Sequence, residues 1–581
     1  GGSGGGTGGD ASVNLDSSSC QTGNACGDGG ICAGGVCCDK ANACGGACCS
    51  TSEVCSFQKC VTPGKTCTES SDCAATEYCE LALGSGSDGG TPSDAGSCTG
   101  GFALAEGKCL PTPPVCSGTE PKPDCLPKCE LPPSTAAFDP EITYTWGGVT
   151  SSPFSSDVMM TPIVVQLDDD NCDGKITEQD IPEILFVTFA GGAYTGIGTL
   201  HAISIVDKKV VDKFSVPGVV NAMSELAGGN IDGKPGNEVV GCSGSTVTAF
   251  DGKGNVLWTS PPIGCRAPAL ADLEGDGDVE VIVEGGILNG KDGTLKKAFP
   301  TGVSIPSVSD LDGDGKLDIV TPTRIHKGSD GTLLADSGLA GTYVAVGDFD
   351  KDGTPEVASI NKPIHQLSVW RYDATATNKV KVLRTGIDIN GTFANTCPAG
   401  SSGNTTGGGP PTIADFNGDQ VPDVAVAGGI GYAVIDGSKV LNAAVPANQT
   451  LLWLTKTQDC SSAATGSSLF DFEGDGTPEV VYSDEQYFRI YKGTDGSVLW
   501  STCNTTGTLV EYRLVADVDN DGGADIVVVS NAYSSIVCPK DNSKQRGLRV
   551  FGDDQGKWVR TRRVWNQHAY HVTNVDEDGT I

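Results

Sequence analysis

Eight short acidic loops, each followed at once by an apolar run, constrain this sequence more than any other feature. The clearest is DLDGDGKLDIV at 310–320, where Asp310, Asp312 and Asp314 alternate along the chain before Gly315 and Asp318. Because these carboxylates face one side of a tight turn, they offer the hard oxygen ligands that Ca²⁺ prefers. The other units read DDNCDGKITEQDIPEILFV (169–187), GNIDGKPGNEVVG (229–241), ADLEGDGDVEVIV (271–283), GDFDKDGTPEVAS (347–359), ADFNGDQVPDVAV (414–426), FDFEGDGTPEVVY (470–482) and ADVDNDGGADIVVV (516–529).

The loops recur at a quasi-regular distance, and this repeat predicts the fold. Consecutive loops begin 38 to 67 residues apart. That spacing is too long for a leucine-rich repeat coil and suits one four-stranded propeller blade with variable loops. Short apolar runs around glycine-rich turns, such as 246–250 and 256–258 around DGKGN, are typical of β-hairpins. The sequence therefore predicts an all-β fold, a β-propeller with eight blades or, as the alternative, seven.

Residues from about 160 to 570 resemble the FG-GAP/VCBS repeat family, whose loops also occur in the propeller of integrin α subunits. The resemblance implies a β-propeller with one Ca²⁺ in the turn between two strands of most blades. Residue seven of each loop would add a backbone carbonyl. Carried over to this sequence, the side-chain ligands are Asp272, Glu274, Asp276 and Glu280 in the third loop, Asp310, Asp312, Asp314 and Asp318 in the fourth, Asp348, Asp350, Asp352 and Glu356 in the fifth, Asp415, Asn417, Asp419 and Asp423 in the sixth, Asp471, Glu473, Asp475 and Glu479 in the seventh, and Asp517, Asp519, Asp521 and Asp525 in the eighth.

Two loops depart from this pattern. The first is closer to an EF-hand loop without its final Glu, and its expected ligands are Asp169, Asn171, Asp173 and Asp180, with Asp180 or Glu183 closing the shell. The second offers only Asn230, Asp232 and Glu238, and Lys234 stands where a third carboxylate belongs, so we expect no Ca²⁺ there. The alternative for all loops is a plain β-turn with solvated carboxylates. It is disfavoured in the six regular loops, because three acids within five residues repel one another without a cation. We expect six or seven structural Ca²⁺ ions.

The charge and hydropathy of the chain indicate an exported protein. With 73 acids and 38 bases the formal net charge is −35, which works against nucleic acid or an anionic membrane as a partner. No apolar run approaches the roughly 18 residues that would suggest a transmembrane segment. The chain starts at Gly, so we expect a secreted, mature or trimmed product at the cell surface or outside the cell. Its Gly-rich start is similar to the tether of lipid-anchored bacterial lipoproteins, and we expect the natural protein to continue beyond the acidic NVDEDGTI.

The cysteines divide the chain into segments. Of 25 cysteines, 18 lie between Cys20 and Cys129, in a stretch with too few apolar residues for an ordinary core. That density predicts a disulfide scaffold, and the lack of CxxC and histidine disfavours zinc or haem. We predict a Gly-rich linker (1–19), a disulfide stem (20–135), the propeller (136–573) and the start of a further segment (574–581).

Seven further cysteines fall in the propeller. Cys242 and Cys265 flank one hairpin region and are expected to pair. The loops that carry the last four are long enough to bridge adjacent blades: Cys397, Cys460, Cys503 and Cys538. Cys172 lies inside the first acidic loop, and the sequence leaves open whether it is free, joined to the stem or linked to another chain.

Two segments are predicted to close the ring, 137–147 and 558–573, because pairing the chain ends in one blade removes exposed sheet edges. The second, WVRTRRVWNQHAYHVT, contains His568 and His571 beside three aromatic residues. This dense polar and aromatic cluster is interpreted either as a ligand site or as packing in the closing blade.

Catalytic motifs are lacking, since no GxSxG, HExxH or Walker loop occurs. We therefore predict a binding, adhesion or structural module of the cell surface or of an extracellular fibre. Its expected partner is a protein or glycan, or a second copy of the chain, with the insertions 376–410 and 438–468 as candidate contact loops. The alternative is a carbohydrate-active enzyme similar to polysaccharide lyases with calcium-rich propellers. A lyase needs a basic residue to abstract a proton and a groove lined with Arg and Lys, which are sparse here.

Overall fold

The computed structural model describes residues 31–67 except 34, 73–80 except 75, 83, 107–114, 125, and 138–581 except 148–155, 173–174, 178, 300–304, 395–396, 399–400, 402–405 and 554–555. The chain forms two compact units, Gly1–Gly96 with Ala103–Leu131, and Ser97–Phe102 with Pro132–Ile581. The predicted linker 1–19 and the residue Asp173 lie outside the described residues.

The first unit is a chain of small hairpins held by disulfides. Its strands are β1 (Ile31–Ala33), β2 (Val36–Cys38), β3 (Ala43–Cys44), β4 (Ala47–Cys48), β5 (Val54–Ser56), β6 (Lys59–Val61), β7 (Thr66–Cys67), β8 (Glu77–Glu80) and β9 (Gly107–Pro111), with a 3-10 helix at Lys40–Asn42. The disulfides seen here are Cys38–Cys48, Cys44–Cys55, Cys49–Cys60, Cys67–Cys79 and Cys73–Cys109. The predicted disulfide-rich segment is thus confirmed.

Reduction is expected to open this unit before the second one. Strands of two to five residues bury little apolar surface, so the disulfides replace a hydrophobic core. Under mild dithiothreitol, limited proteolysis followed by mass spectrometry should cut within residues 20–129 first. Cleavage of both units at equal rates would contradict this.

The second unit begins with β10 (Glu141–Trp146) and continues through a series of antiparallel sheets, here numbered I to VIII in chain order. Sheet I contains β11 (Asp157–Val158), β12 (Ile163–Val165), β13 (Glu183–Phe189), β14 (Ile197–Val206) and β15 (Lys209–Asn221). Sheet II contains β16 (Leu226–Gly229), β17 (Glu238–Ser243), β18 (Thr246–Phe250) and β19 (Val256–Thr259). Sheet III contains β20 (Ala269–Ala271), β21 (Glu280–Val283), β22 (Gly286–Asn289) and β23 (Leu295–Ala298). Sheet IV contains β24 (Ser307–Ser309), β25 (Asp318–Val320), β26 (Arg324–Lys327) and β27 (Leu333–Asp336).

The remaining sheets repeat the same plan. Sheet V contains β28 (Tyr343–Gly347), β29 (Glu356–Asn361), β30 (Gln366–Tyr372) and β31 (Val380–Asp388). Sheet VI contains β32 (Thr412–Ala414), β33 (Asp423–Ala427), β34 (Gly431–Ile435) and β35 (Leu451–Lys456). Sheet VII contains β36 (Ser467–Phe470), β37 (Glu479–Ser483), β38 (Tyr487–Tyr491) and β39 (Val498–Cys503). Sheet VIII contains β40 (Leu514–Ala516), β41 (Asp525–Ser530), β42 (Gly547–Gly552) and, from the start of the unit, β10. Short helices occur only between strands in the described residues of this unit, namely 3-10 turns at Lys362–Ile364 and Ala447–Gln449 and α1 (Gly437–Val440).

First strands of successive sheets lie side by side, as β12 with β16, β28 with β32 and β36 with β40, and β11 lies against β41 and β42. This arrangement is that of a β-propeller, as predicted. The ring is closed by β10, which pairs antiparallel with β42 from Glu141↔Gly552 to Trp146↔Leu548. The first predicted closing segment is therefore confirmed, and it covers an edge that would otherwise be open.

Residues 558–581 do not add a strand to sheet VIII. They run across the first strands of sheets I to III, with isolated bridges Val164↔Trp565 and Ala227↔Gln567. The amide of Leu270 donates to Gln567 Oε1 over 2.6 Å. The last residues then reach the loop of sheet II, where Asn230 N donates to Gly579 O over 2.9 Å. This segment thus lies at the centre of the ring.

Disulfides also tie the second unit together. Cys242–Cys265, Cys397–Cys460 and Cys503–Cys538 are formed, which confirms the first expected pair. Cys503 ends a strand of sheet VII and Cys538 lies in the loop between β41 and β42 of sheet VIII, so this pair bridges adjacent sheets as expected. Cys172 is disulfide-bonded, which excludes the free-thiol alternative. In the part of the chain that the structure describes, no helix is both long and apolar enough to cross a membrane.

Candidate metal loops and a central cavity

A buried acid opens the second strand of all eight sheets and holds the loop before it. We call these residues the anchor carboxylates. Each accepts a hydrogen bond, 2.7 to 3.2 Å long, from the backbone N–H of a buried apolar residue just after the first strand. The apolar side chain fixes the loop on the core, and the carboxylate keeps a second oxygen for the loop interior. The anchor carboxylates are Glu183, Glu238, Glu280, Asp318, Glu356, Asp423, Glu479 and Asp525.

The acid at the first loop position shapes the turn. In sheet III, Asp272 Oδ1 accepts the N–H of Gly275 over 2.7 Å, and Oδ2 accepts that of Gly277 over 2.8 Å. The same bonds recur in sheets IV and VII. Gly277 has φ +84°, a left-handed conformation that favours glycine. The DxDxDG pattern therefore folds into one loop geometry before any metal is considered.

These loops bring carboxylate oxygens together as the sequence predicts. In sheet IV, oxygens of Asp310, Asp312 and Asp318 lie within 4.8 Å of one another, and in sheet V those of Asp348, Asp350 and Glu356 do. Hard oxygen ligands at this spacing fit a divalent cation of the Ca²⁺ or Mg²⁺ type. Several acidic clusters of this chain can thus hold a metal ion.

In the first loop the structure brings Glu183, one of the two expected closing residues, together with two acids outside the predicted set, while Asp173 lies outside the described residues. There the clustered oxygens belong to Asp168, Asp170 and the anchor carboxylate Glu183. Asp180 accepts the backbone N–H groups of Asp170 and Thr177, each over 2.9 Å. Because Leu167 donates to the anchor carboxylate, the first loop position is Gln166, three residues before the predicted Asp169, a shift that the sequence pattern did not reveal.

Side-chain cations lie inside four of the loops. Lys213 Nζ is 2.9 Å from Asp170 and 3.4 Å from Glu183 in sheet I. Lys296 Nζ is 2.6 Å from Glu280 in sheet III. The other two are Arg371 in sheet V, with NH1 2.8 Å from Asp352, and Lys234 in sheet II, with Nζ 2.5 Å from Asp232.

The anchor carboxylates of sheets III and VII illustrate the effect of such a cation on the pKa. In sheet VII, burial and the adjacent Glu473 raise the pKa of Glu479 to about 9. In sheet III, burial raises the pKa of Glu280, and the Lys296 ammonium opposes that rise. Buried carboxylates that face one another cannot all ionise without a positive charge nearby. The sheet VII loop therefore has the stronger need for an added cation.

A cavity of about 520 Å³ lies at the centre of the ring. Its wall is formed by the first strands β24, β28, β32 and β36 and by residues 565–571 of the C-terminal segment. The rings of Trp565 and Tyr570 are 4.8 Å apart, and those of Tyr512 and His568 are 4.7 Å apart. Burial lowers the pKa of His568 to about 4, so this imidazole is neutral at pH 7. The predicted aromatic and histidine cluster is thus in the cavity wall.

Two polar atoms in the cavity wall could each form a further hydrogen bond. Trp565 Nε1 and Ser468 Oγ are buried and have no hydrogen-bond partner within the described part of the chain. A buried donor without a partner costs about 1–3 kcal/mol, so such groups usually meet water or a ligand. Arg266 and Lys362 do not line the cavity and make no ion pair among the described residues, but Arg266 lowers the pKa values of Lys362 and of the wall residues Tyr343 and His568.

Comparison with solved structures supports the fold. The V. cholerae biofilm matrix protein Bap1 matches with a TM-score of 0.58 and 20% sequence identity, over 76% of this chain and 96% of that chain. The rhamnogalacturonan lyase YesW matches with a TM-score of 0.43 and 16% identity over 71% of this chain and 75% of that chain. BamB from Moraxella catarrhalis matches with a TM-score of 0.36 and 13% identity over 67% of this chain and 96% of that chain. No protein-family description and no curated protein matches the sequence. At 20% identity the likeness to Bap1 is one of fold alone.

Proposed function

We propose that this chain is an extracellular, calcium-stabilised β-propeller with eight blades, a member of the FG-GAP/VCBS type, that binds a glycan in its central cavity. The observation that carries the proposal is the cavity beside Trp565, where aromatic faces meet buried donors without partners. The disulfides fit an oxidising compartment. A role in a surface matrix or fibre follows from such binding, and the neighbour Bap1 is itself a biofilm matrix protein.

The shape and chemistry of the cavity favour a sugar over a peptide. A volume of about 520 Å³ is in the range of small-ligand pockets and admits one or two sugar rings. Trp565 and Tyr570 offer apolar faces for the C–H side of a sugar, while Trp565 Nε1 and Ser468 Oγ can bond its hydroxyl groups. Protein partners instead need a standard interface of roughly 800 Å² per side. The insertions 376–410 and 438–468 remain candidate surfaces for a larger partner.

Removal of the Trp565 indole should weaken glycan binding. We expect Trp565→Ala to weaken binding of neutral or uronic-acid oligosaccharides at least tenfold in isothermal titration calorimetry, since both a stacking face and a donor are lost. Trp500→Ala, which removes a half-buried indole packed on Phe551 of sheet VIII, is the matched control and should bind as the wild type does. A panel in which no glycan binds, or equal binding by both variants, would contradict the proposal.

The second candidate is a polysaccharide lyase, favoured by the basic pair Lys362 and Arg266, of which Arg266 acts electrostatically on the cavity residues Tyr343 and His568. Arg266 can bind a uronate carboxylate, and Lys362, whose pKa is lowered by burial and by Arg266, is suited to accept the α-proton. Incubation with pectin and alginate, followed by absorbance of unsaturated uronates, separates the two functions. A chromophore that disappears in Lys362→Ala would establish the lyase; binding without a chromophore supports the module.

A further inference from the structure

The fourth strand of every sheet carries a one-residue β-bulge at an equivalent place. In sheet III, for example, Ile287 pairs with Lys297 and Leu288 with Leu295, so that Lys296 is left without a partner strand residue. A β-bulge interrupts the regular alternation of side chains between the two faces of a sheet, so the side chain of the bulged residue points in a different direction. The bulged residues are Lys213, Leu257, Lys296, Leu334, Leu383, Leu452, Leu499 and Thr143 in sheets I to VIII.

The two lysines at this position both reach the acidic loop of their own sheet. Lys213 Nζ lies 3.0 Å from Asp168 and 2.9 Å from Asp170. Lys296 Nζ lies 2.9 Å from Glu274 and 2.6 Å from Glu280. The bulge therefore aims a side chain at the loop interior, and a lysine there places its ammonium among the carboxylates that would otherwise bind a metal.

A third loop receives a guanidinium from the neighbouring strand. Arg371 in β30 has NH1 3.2 Å from Asp350, 2.8 Å from Asp352 and 3.3 Å from Glu356. These are the third, fifth and ninth loop residues, the same side chains that the resemblance assigns to the metal. Lys234 in sheet II makes a single pair with Asp232 within a loop that has fewer acids.

We propose that side-chain cations take the place of the divalent metal in sheets I, III and V, so that the metal is confined to the loops of sheets IV, VI, VII and VIII. This rests on the calcium binding put forward above. A divalent ion would have to expel an ammonium or guanidinium already bonded to two or three carboxylates, because like charges at such distances repel strongly.

In the loops of sheets IV, VI, VII and VIII, described Lys and Arg side chains are either absent or farther from the loop acids. In sheets VI and VII no described Lys or Arg pairs with a loop acid, and in sheet IV Lys327 Nζ is 3.9 Å from Asp312 and from Asp314, beyond hydrogen-bonding distance. In sheet VIII, Arg563 Nε is 3.5 Å from Asp517 Oδ2 and donates its hydrogen bond to Asn520 Oδ1 instead. Among the described residues, therefore, no ammonium or guanidinium is hydrogen-bonded to a loop carboxylate in these four sheets.

Native mass spectrometry of the full chain in calcium tests this by counting ions. The wild type should hold four. Lys296→Leu, which installs the residue that five other sheets carry at the bulge, should hold five. Lys297→Leu is the matched control, since Lys297 makes no ion pair among the described residues, and it should hold four.

The reverse substitution, which adds a lysine at the bulge, provides a second test in case Lys296→Leu does not fold. Leu499 is the exposed bulge residue of sheet VII, and Leu499→Lys should remove one ion and leave three. A wild-type count of seven, or counts that neither substitution changes, would overturn the inference while leaving calcium binding intact. A wild-type count of zero would instead remove the calcium proposal itself.

Discussion

Chelation with EDTA is expected to lower the Tm of the second unit by ~10 °C or more, the largest effect that we foresee. Each ion present at a hundred times its Kd stabilises the folded state by about 2.7 kcal/mol. Its removal also leaves anchor carboxylates such as Glu479 facing other acids without compensation. Differential scanning calorimetry with and without EDTA measures the shift.

Two controls define the meaning of that shift. Calcium added back in excess should restore the original Tm, whereas the disulfides of the first unit should not respond to EDTA. Leu499→Lys, with its own ammonium in the loop of sheet VII, should lose less stability on chelation than the wild type does. An unchanged Tm after chelation would contradict a stabilising role for metal.

Truncation of Trp453 is expected to give the next largest effect. Its indole is 8% exposed, and its Nε1 donates to Gly493 O of the next sheet over 2.5 Å. Gly496 has φ +71°, and a Cβ there would overlap the indole ring, so this turn requires glycine. Trp258 makes the same contact from sheet II to sheet III, with Nε1 2.8 Å from Gly290 O. These indoles therefore fix one sheet against the next.

Trp453→Ala should destabilise the second unit by about 3–5 kcal/mol, because it leaves a cavity and an unpaired carbonyl between two sheets. Urea unfolding followed by circular dichroism measures this. Trp453→Phe, which keeps most of the packing and loses the hydrogen bond, should cost about 1–2 kcal/mol. Equal stability of Trp453→Ala and the wild type would mean that adjacent sheets do not depend on this contact.

The repeating parts of the fold follow from local sequence. In the six regular loops the acid at the first position and the acid that opens the next strand are set by a fixed spacing, as Asp310 and Asp318 show, so one pattern predicts both turn and strand. The pairing of Cys242 with Cys265 also follows from closeness along the chain. Local rules therefore give the sheets, their order and most of the loop residues.

The parts that depend on distant segments could not be predicted in this way. Lys296 reaches the acidic loop of sheet III because of a bulge in the fourth strand. Nothing in the local sequence KKA (296–298) predicts that bulge. The register of the first loop depends on which acid the strand pairing brings to Leu167. The position of Trp565 at the ring centre follows from contacts with sheets I to III, far away in sequence. A lysine at the equivalent place in two fourth strands is the signal that an alignment of the repeats would have found.

An anomalous difference map from crystals grown in calcium tests the central claim most directly, since it locates each ion. The account predicts calcium peaks in the loops of sheets IV, VI, VII and VIII, beside Asp312, Asp419, Asp475 and Asp519. In the loops of sheets I, III and V it predicts the side chains of Lys213, Lys296 and Arg371 in place of calcium. A map without a calcium peak in any acidic loop would contradict it.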